Sequence, residues 1–328
     1  MMMIRRGALA VLATTMLTLG TLGAAEAAYP ERPITMIVPW GAGGGTDATA
    51  RIVASELEKE LGVPVNVVNR TGGSGVVGHS AIATAQPDGY TIGIITSEIG
   101  IMHWQGLTEL SGEDYTPLAL MNDDPPALNV PADAKWNTVG ELLEDIRNSE
   151  PGTFKASGTG QGGIWHVGLG GLLKAAGIPA DKVQWIPSQG AAAGLQDMLS
   201  GGVDFAPCSI PEAKALIDAG RVKSLAVMAD ERNPTFPDVP TVKEAEGIDF
   251  SVGSWRGFAG PLNMDQEAVD KLVPAMKKIY DSAAYQDFMS GRGFGTVYLP
   301  PEEFKAFMAE RDAMFGGIMK DIGLAKAE

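Results

Sequence analysis

Four glycine-rich stretches in this sequence place backbone amides and hydroxyls where a strand turns into a helix. The first is Val38-Pro39-Trp40-Gly41-Ala42-Gly43-Gly44-Gly45-Thr46-Asp47. Glycines let a backbone come close to a ligand, and the first amides of a helix lack intrahelical acceptors and favour an anion. Thr46 offers a hydroxyl to an anionic oxygen or a cap to the helix, and Asp47 suits the positive end of the helix dipole. The stretch reads either as an anion cradle or as a glycine turn opening a helix. A dinucleotide site fits less well. Gly41-x-Gly43-x-x-Thr46 lacks the third glycine, no acidic residue closes the next strand at Val68, and no P-loop lysine follows.

The second stretch, Asn69-Arg70-Thr71-Gly72-Gly73-Ser74-Gly75, holds an arginine that reads as a carboxylate clamp or as a surface residue at a strand end. The third, Ser157-Gly158-Thr159-Gly160-Gln161-Gly162-Gly163-Ile164-Trp165-His166, again sets hydroxyls and amides before a helix. A single histidine such as His166 more often packs or caps than acts as a base. The fourth is Ser188-Gln189-Gly190-Ala191. Catalytic signatures are missing: there is no G-x-S-x-G elbow, no H-E-x-x-H and no C-x-x-C. Glu98, Asp123 and Asp124 read by default as solvated loop charges, and Cys208 as a buried, inert thiol.

The elements that position these loops alternate. Ile34 to Val38, Val65 to Val68 and Tyr90 to Ile95 read as buried strands, and Asp47 to Leu61 and Gly78 to Ala85 as helices between them. A second unit repeats the pattern. Its helices are Thr138 to Asn148, Ile164 to Ala176, Gly190 to Leu199 and Ile210 to Ala219. Its strands are Thr153 to Ala156, Val183 to Ile186, Val203 to Ala206 and Ser224 to Met228. Val252 to Ala259 reads as a further strand, followed by long amphipathic helices at Gln266 to Ala283 and Pro301 to Ile322. The pattern predicts an α/β fold of two lobes, each a mainly parallel sheet flanked by helices, with the ligand beyond the strands' carboxyl ends in the interlobe cleft. The chain crosses between lobes near 118–125 and again near 251–260, which makes a hinge.

The chain has 328 residues, 45% of them apolar and 20% charged, ordinary values for a globular protein. A formal charge of −15 argues against a nucleic-acid partner, which needs a basic footprint. Three histidines and one cysteine leave little for a metal cluster, and no metal or cofactor is expected. Residues 1–27 read as a cleaved signal peptide: Arg5 and Arg6, an apolar or small-residue run from Gly7 to Leu22, and an Ala25-Glu26-Ala27 cleavage site. The run is shorter than the roughly 20 residues that span a bilayer. The mature chain is expected to be exported and soluble.

Several of these motifs, in this order, resemble one family. They are Tyr29-Pro30-Glu31-Arg32-Pro33-Ile34, the Val38-Pro39-x-x-x-Gly43-Gly44-x-x-Asp47 loop, Asn69-x-x-Gly72-Gly73-x-Gly75 and Pro87-Asp88-Gly89-Tyr90-Thr91. The loop from Ser157 to His166, Gly201-Gly202-Val203-Asp204 and Phe236-Pro237-Asp238-Val239-Pro240-Thr241 complete the set. Together they resemble the solute-binding proteins of tripartite tricarboxylate transporters, the TctC or Bug family, over essentially the whole mature chain. The resemblance implies a periplasmic binding protein of the type II-like fold, with lobe 1 in 28–123 plus 254–328 and lobe 2 in 124–253. It implies a monomer that closes on a small organic acid and delivers it to a large and a small membrane subunit; it is not an enzyme. A sensory receptor and, behind it, a secreted hydrolase using Ser157 or His166 are the alternatives. The implied carboxylate anchor is Gly43, Gly44, Gly45, Thr46 and Asp47 in lobe 1, with Ser157, Gly158, Thr159, Gly160, Gln161 and His166 in lobe 2. Trp40, Ser97, Glu98, Ser188, Gln189, Gly190 and Asp204 complete the expected ligand-binding set. Departures from the family pattern lie at Trp40, Glu98, Gln161-Gly162-Gly163 and Pro187-Ser188-Gln189, which leaves the distal half of the ligand to be decided there.

Overall fold

The computed structural model describes residues 29–326; the signal-peptide reading falls outside them. Strand β1 (Ile34–Val38) leads through the first glycine loop into helix α1 (Gly45–Leu61), and then come β2 (Val65–Asn69), α2 (Val76–Ala83), β3 (Thr91–Thr96) and β4 (Tyr115–Asp124). The second group is β5 (Ala127–Pro131), α3 (Val139–Asn148), β6 (Phe154–Ala156), α4 (Ile164–Ala175), β7 (Val183–Trp185), α5 (Ala191–Leu199), α6 (Ile210–Asp218), β8 (Val222–Val227) and α7 (Val242–Glu246). The chain returns through β9 (Ser254–Pro261), α8 (Gln266–Tyr280), α9 (Ala283–Arg292), β10 (Thr296–Leu299) and α10 (Pro301–Asp321).

The first lobe is built on one six-stranded sheet of order β10-β4-β9-β3-β1-β2. Only β1–β2 and β1–β3 are parallel, whereas β9 runs antiparallel to both β3 and β4, and β10 antiparallel to β4. The sheet is therefore mixed where the repeating pattern predicts a mainly parallel one. The difference lies in β9 and β10, which run opposite to the other four strands, and β4 is a strand that the pattern does not predict. Pro117 within Tyr115–Asp124 argues against a strand from sequence, but it sits at a shift of register against β9, where a missing amide is tolerated. The second lobe holds β5 against β8, antiparallel, and β6 beside β7, parallel. Isolated bridges at Ala156–Phe205 and Asn129–Ala206 stitch these pairs together. Val203 to Ala206, expected as a strand, thus contributes bridges only.

Residues read from sequence as crossings belong to neighbouring strands. Asp123 pairs with Trp255 and Asp124 with Ser254 at the ends of β4 and β9, so the outgoing and returning chains run side by side. The predicted helix from Gln266 to Ala283 ends earlier. α8 stops at Tyr280, and Ser282 caps a separate α9 by accepting a hydrogen bond from Tyr285 N at 3.2 Å. Helix α10 closes the chain and packs on α4 of the other lobe.

Candidate functional site

Helix starts in this protein differ in how their first amides are met. α3 and α7 cap themselves: Thr138 with Glu141, and Thr241 with Glu244, form reciprocal capping boxes. α1 and α4 begin on Gly44 and Gly163, which have no side chain to offer. Their first amides instead meet carboxylates from the opposite lobe. Gly45 N, at the start of α1, donates to Glu212 Oε1 at 2.7 Å. Ile164 N, at the start of α4, donates to Glu98 Oε1 at 3.1 Å. Each glutamate takes the place that a helix dipole keeps for an anion.

Between them lies Arg256, from the middle of β9, only 1% exposed. Its Nε donates to Thr46 Oγ1 at 3.1 Å, and its Nη1 donates to Asp124 Oδ2 at 2.6 Å and to Asn122 Oδ1. Its Nη2 stands 3.7 Å from Glu212 Oε1. Glu98 is 2% exposed and Asp124 1% exposed, so neither is the solvated loop charge expected of it. In sequence both stand at the ends of apolar strands, where solvent is the default. The tertiary packing of α4 and β9 over those strand ends removes the solvent. Burial pushes the Glu98 and Glu212 carboxyls above their ordinary range, against the pull of their hydrogen bonds and of Arg256.

A relay of hydrogen bonds holds Glu98 in place. His79 Nδ1 lies 2.8 Å from Gly75 O, and Thr96 N donates to His79 Nε2 at 3.2 Å, which places the imidazole proton on Nδ1. Thr96 Oγ1 donates to Glu98 Oε2 and accepts from Trp40 Nε1 at 3.3 Å. His79 is fully buried, and burial lowers its pKa to about 4, so it is a neutral strut near pH 7.

The predicted site residues separate by position. Trp40, Gly44, Gly45, Thr46, Glu98, Thr159 and Gly190 line the central cleft, together with Arg256, Glu212, Thr96, Ser254 and Trp165. The void they enclose is about 20 Å³, the size of a water molecule. Gly160, Ser188 and Gln189 line a neighbouring mouth of about 210 Å³ with Trp40 and the loop Thr71 to Gly75. Gln161 and His166 face a third pocket with Trp185, Ile322 and Leu324. There His166 stacks on Trp185 with ring centroids 4.6 Å apart, and accepts from Gly162 N at 3.0 Å. Burial lowers its pKa to about 4.

The remaining residues of the set have other partners. Gly43 N donates to Asp47 Oδ2 at 3.0 Å, and Asp47 also accepts from Arg51 Nε and Asn69 Nδ2. Burial works to raise the Asp47 carboxyl, but these hydrogen bonds outweigh it and hold the group below its ordinary value. Asp47 therefore braces the glycine loop. Ser97 Oγ accepts from Trp255 N at 2.8 Å, Gly158 packs under Trp165, and Asp204 accepts from Lys155 N on the strand β6. Ser157 Oγ is buried without a hydrogen-bond partner among the described residues. Cys208 is fully buried beside Asn129, and burial raises its thiol pKa well above the ordinary value.

Sequence reasoning missed Arg256, Glu212 and His79. Arg256 left a signal, since an arginine stands inside the apolar run from Val252 to Ala259. A charge in a buried strand needs a partner. Glu212 left none, because a glutamate in the first turn of a helix is an ordinary dipole residue.

Two α/β lobes joined by adjacent strands, with uncapped helix starts meeting at their interface, define the type II-like periplasmic binding-protein fold. Residues 49–324 match the model of the tripartite tricarboxylate transporter family receptor, TctC, and the chain belongs to that family. A protein encoded in the tcbD-tcbE intergenic region of Pseudomonas sp. is 31% identical over 301 residues, covering 91% of this chain and 88% of the relative. Among solved structures, the periplasmic binding protein BugD is 29% identical with a TM-score of 0.83, covering 91% of this chain and 100% of its own. MatC from Rhodopseudomonas palustris with bound malate is 25% identical with a TM-score of 0.80, covering 88% and 99%. An R. palustris protein with adipate is 25% identical with a TM-score of 0.85, covering 90% and 99%.

Proposed function

We propose that this protein is an exported receptor that captures a small organic carboxylate between its lobes and delivers it to the membrane subunits of a tripartite tricarboxylate transporter. The observation that carries the reading is that two helix starts, one per lobe and each holding a carboxylate, line one cavity with the buried Arg256 guanidinium. Backbone amides, helix dipoles and a desolvated guanidinium make a local anion site whatever the net charge of the chain. Malate and adipate in the family's solved structures agree with it. A void of about 20 Å³ cannot hold such an acid, so capture requires the lobes to separate and close again around it.

Native mass spectrometry of the protein purified from periplasm would identify a retained acid, and calorimetry over a panel of mono- and dicarboxylates would rank the class. Delivery is tested by uptake into cells carrying the membrane subunits with and without this chain. A blocking variant belongs with these measurements. A methyl group on Gly45 would stand 2.8 Å from Arg256 Nη2 and 3.0 Å from Glu212 Oε1. Gly45→Ala is expected to weaken binding at least tenfold, and the ligand-free melting temperature measured beside it separates that loss from strain on the buried Arg256. Affinity within twofold of wild type would remove this loop from the site.

A further inference from the structure

The ionisable groups that line the central cleft do not balance. Arg256 is the cation there, and Asp124, at 2.6 Å, already answers its charge. Glu98 and Glu212 both line the cavity, and Glu98 has no ion pair among the described residues. Each carboxylate has room for more donors. A carboxylate accepts about four hydrogen bonds. Glu98 takes one from Ile164 N and one from Thr96, and Glu212 takes one from Gly45 N and one from Ser209 Oγ.

A second observation is independent of the carboxylates. Arg256 Nη2, on a side chain 2% exposed and lining the same cavity, makes no hydrogen bond among the described residues. A guanidinium presents five donors in a fixed fork, and those on Nη2 remain to be met. The cleft thus offers spare cationic donors beside spare anionic acceptors. A plain dicarboxylate satisfies Arg256 but brings a second negative charge toward Glu98 and Glu212.

We infer that the preferred ligand is a zwitterion, a carboxylate that also carries a protonated nitrogen, with its acid on Arg256 Nη2 and its nitrogen between Glu98 and Glu212. The inference rests on the carboxylate-receptor reading and names the second half of the ligand. Glu98 and Glu212 then set specificity, and they hold the two helix starts until a cation draws them inward. The same carboxylates keep simple diacids out, since a diacid must displace them from the amides of Gly45 and Ile164.

Matched pairs of acids test it by calorimetry on the full mature chain: aspartate against succinate, glutamate against glutarate, β-alanine against propionate and 4-aminobutyrate against butyrate. The amine-bearing member of at least one pair is expected to bind at least tenfold tighter than its partner. Glu98→Gln and Glu212→Gln, each of unchanged size, are expected to cut that preference at least fivefold with melting temperatures near wild type. A preference below tenfold for the amine-bearing member in every pair that binds would overturn the inference and leave the receptor reading standing. So would a preference that survives both substitutions. Failure of every acid to bind would overturn the receptor reading itself, and the inference with it.

Discussion

Arg256 shows what a single residue carries here. Its guanidinium is buried with Asp124, Asn122 and Thr46 around it, and removing it would strand buried carboxylates without a cation. Breaking a buried ion pair from one side costs about 3–5 kcal/mol, mostly through the charge left behind. Arg256→Met should lower stability by about that much in urea unfolding, and adding Asp124→Leu should recover a large part. Equal loss in the single and double variants would show that Arg256 acts through packing alone. Asp123 is the neighbouring case. Its Oδ1 is buried with no hydrogen bond, and burial, reinforced by Asp124, raises its pKa from 3.8 to about 6. A raised carboxyl pKa means that the folded chain holds the proton more tightly. The stability that this provides is complete below about pH 4 and is lost as pH rises through about 6. Asp123→Asn should therefore gain on wild type across that window, by on the order of 3 kcal/mol at neutral pH. His79 and His166, both with pKa lowered to about 4, pull the other way, so the difference between the two proteins is the quantity to measure. A difference that does not change between pH 4 and pH 7 would contradict the assignment.

Elements in this fold are held by close approaches that only glycine permits, and these can be told from glycines that serve nothing. Helix α2 lies on the end of β1 because Gly78 has no side chain. A methyl group there would stand 2.4 Å from Pro39 Cα and 2.6 Å from Arg70 O, both backbone atoms that cannot step aside. Gly78→Ala should cost about 1–3 kcal/mol, the range for overpacking a filled site. It should also loosen the His79 relay that seats Glu98. Gly291 offers the contrast: it sits in α9 with nothing within 4 Å of where a methyl group would go. Gly291→Ala should stabilise by up to about 1 kcal/mol through helix propensity alone. Paired urea titrations decide the matter, and similar effects at the two sites would show that the α2 contact is not tight in solution.

At the scale of the molecule, the lobes meet through polar contacts in the cleft and apolar packing outside it. Besides the two glutamate–amide bonds, Gly41 N donates to Gln189 O at 2.9 Å, and Gln105 Nε2 donates to Gly162 O at 3.3 Å. Outside the cleft, α10 packs on α4: Gly170 and Gly171 lie under Ile322 and Ile318, and Lys174 meets Asp321 at 2.6 Å. Asn233 Nδ2 also donates to Gly293 O at 2.7 Å, so on the receptor reading opening works against both of these contacts and the paired ends of β4 and β9. Each glutamate at a helix start contributes about 0.3–1 kcal/mol or somewhat more to the closed form. Small-angle scattering should therefore give a larger radius of gyration for the ligand-free Glu98→Gln/Glu212→Gln variant than for ligand-free wild type. Wild type should contract when a bound acid saturates it. Identical curves in all three states would mean that the lobes do not move.

The alternation of strands, glycine loops and helices was legible in the sequence because it depends on local pattern. Ile34–Val38 and the helix ending at Leu61 are set by apolar spacing and by Gly62, which takes the left-handed conformation at the helix end. The two helix starts that face the cleft were legible too, as glycine loops, although Thr46, offered as a possible cap, lies inside α1 and the start falls on Gly44. What fills those starts was not. Glu212 lies 167 residues from Gly45, and Glu98 lies 66 from Ile164. No local rule relates residues so far apart in the chain. The same limit hid β4, whose proline is tolerated only because β9 shifts register beside it. It also hid the burial of Asp123, Asp124 and Glu98, which depends on β9 and α4 folding over strand ends that an isolated strand would leave in water. Helix ends and turns follow from nearest neighbours along the chain, whereas desolvation and charge pairing follow from which distant segments share the same volume.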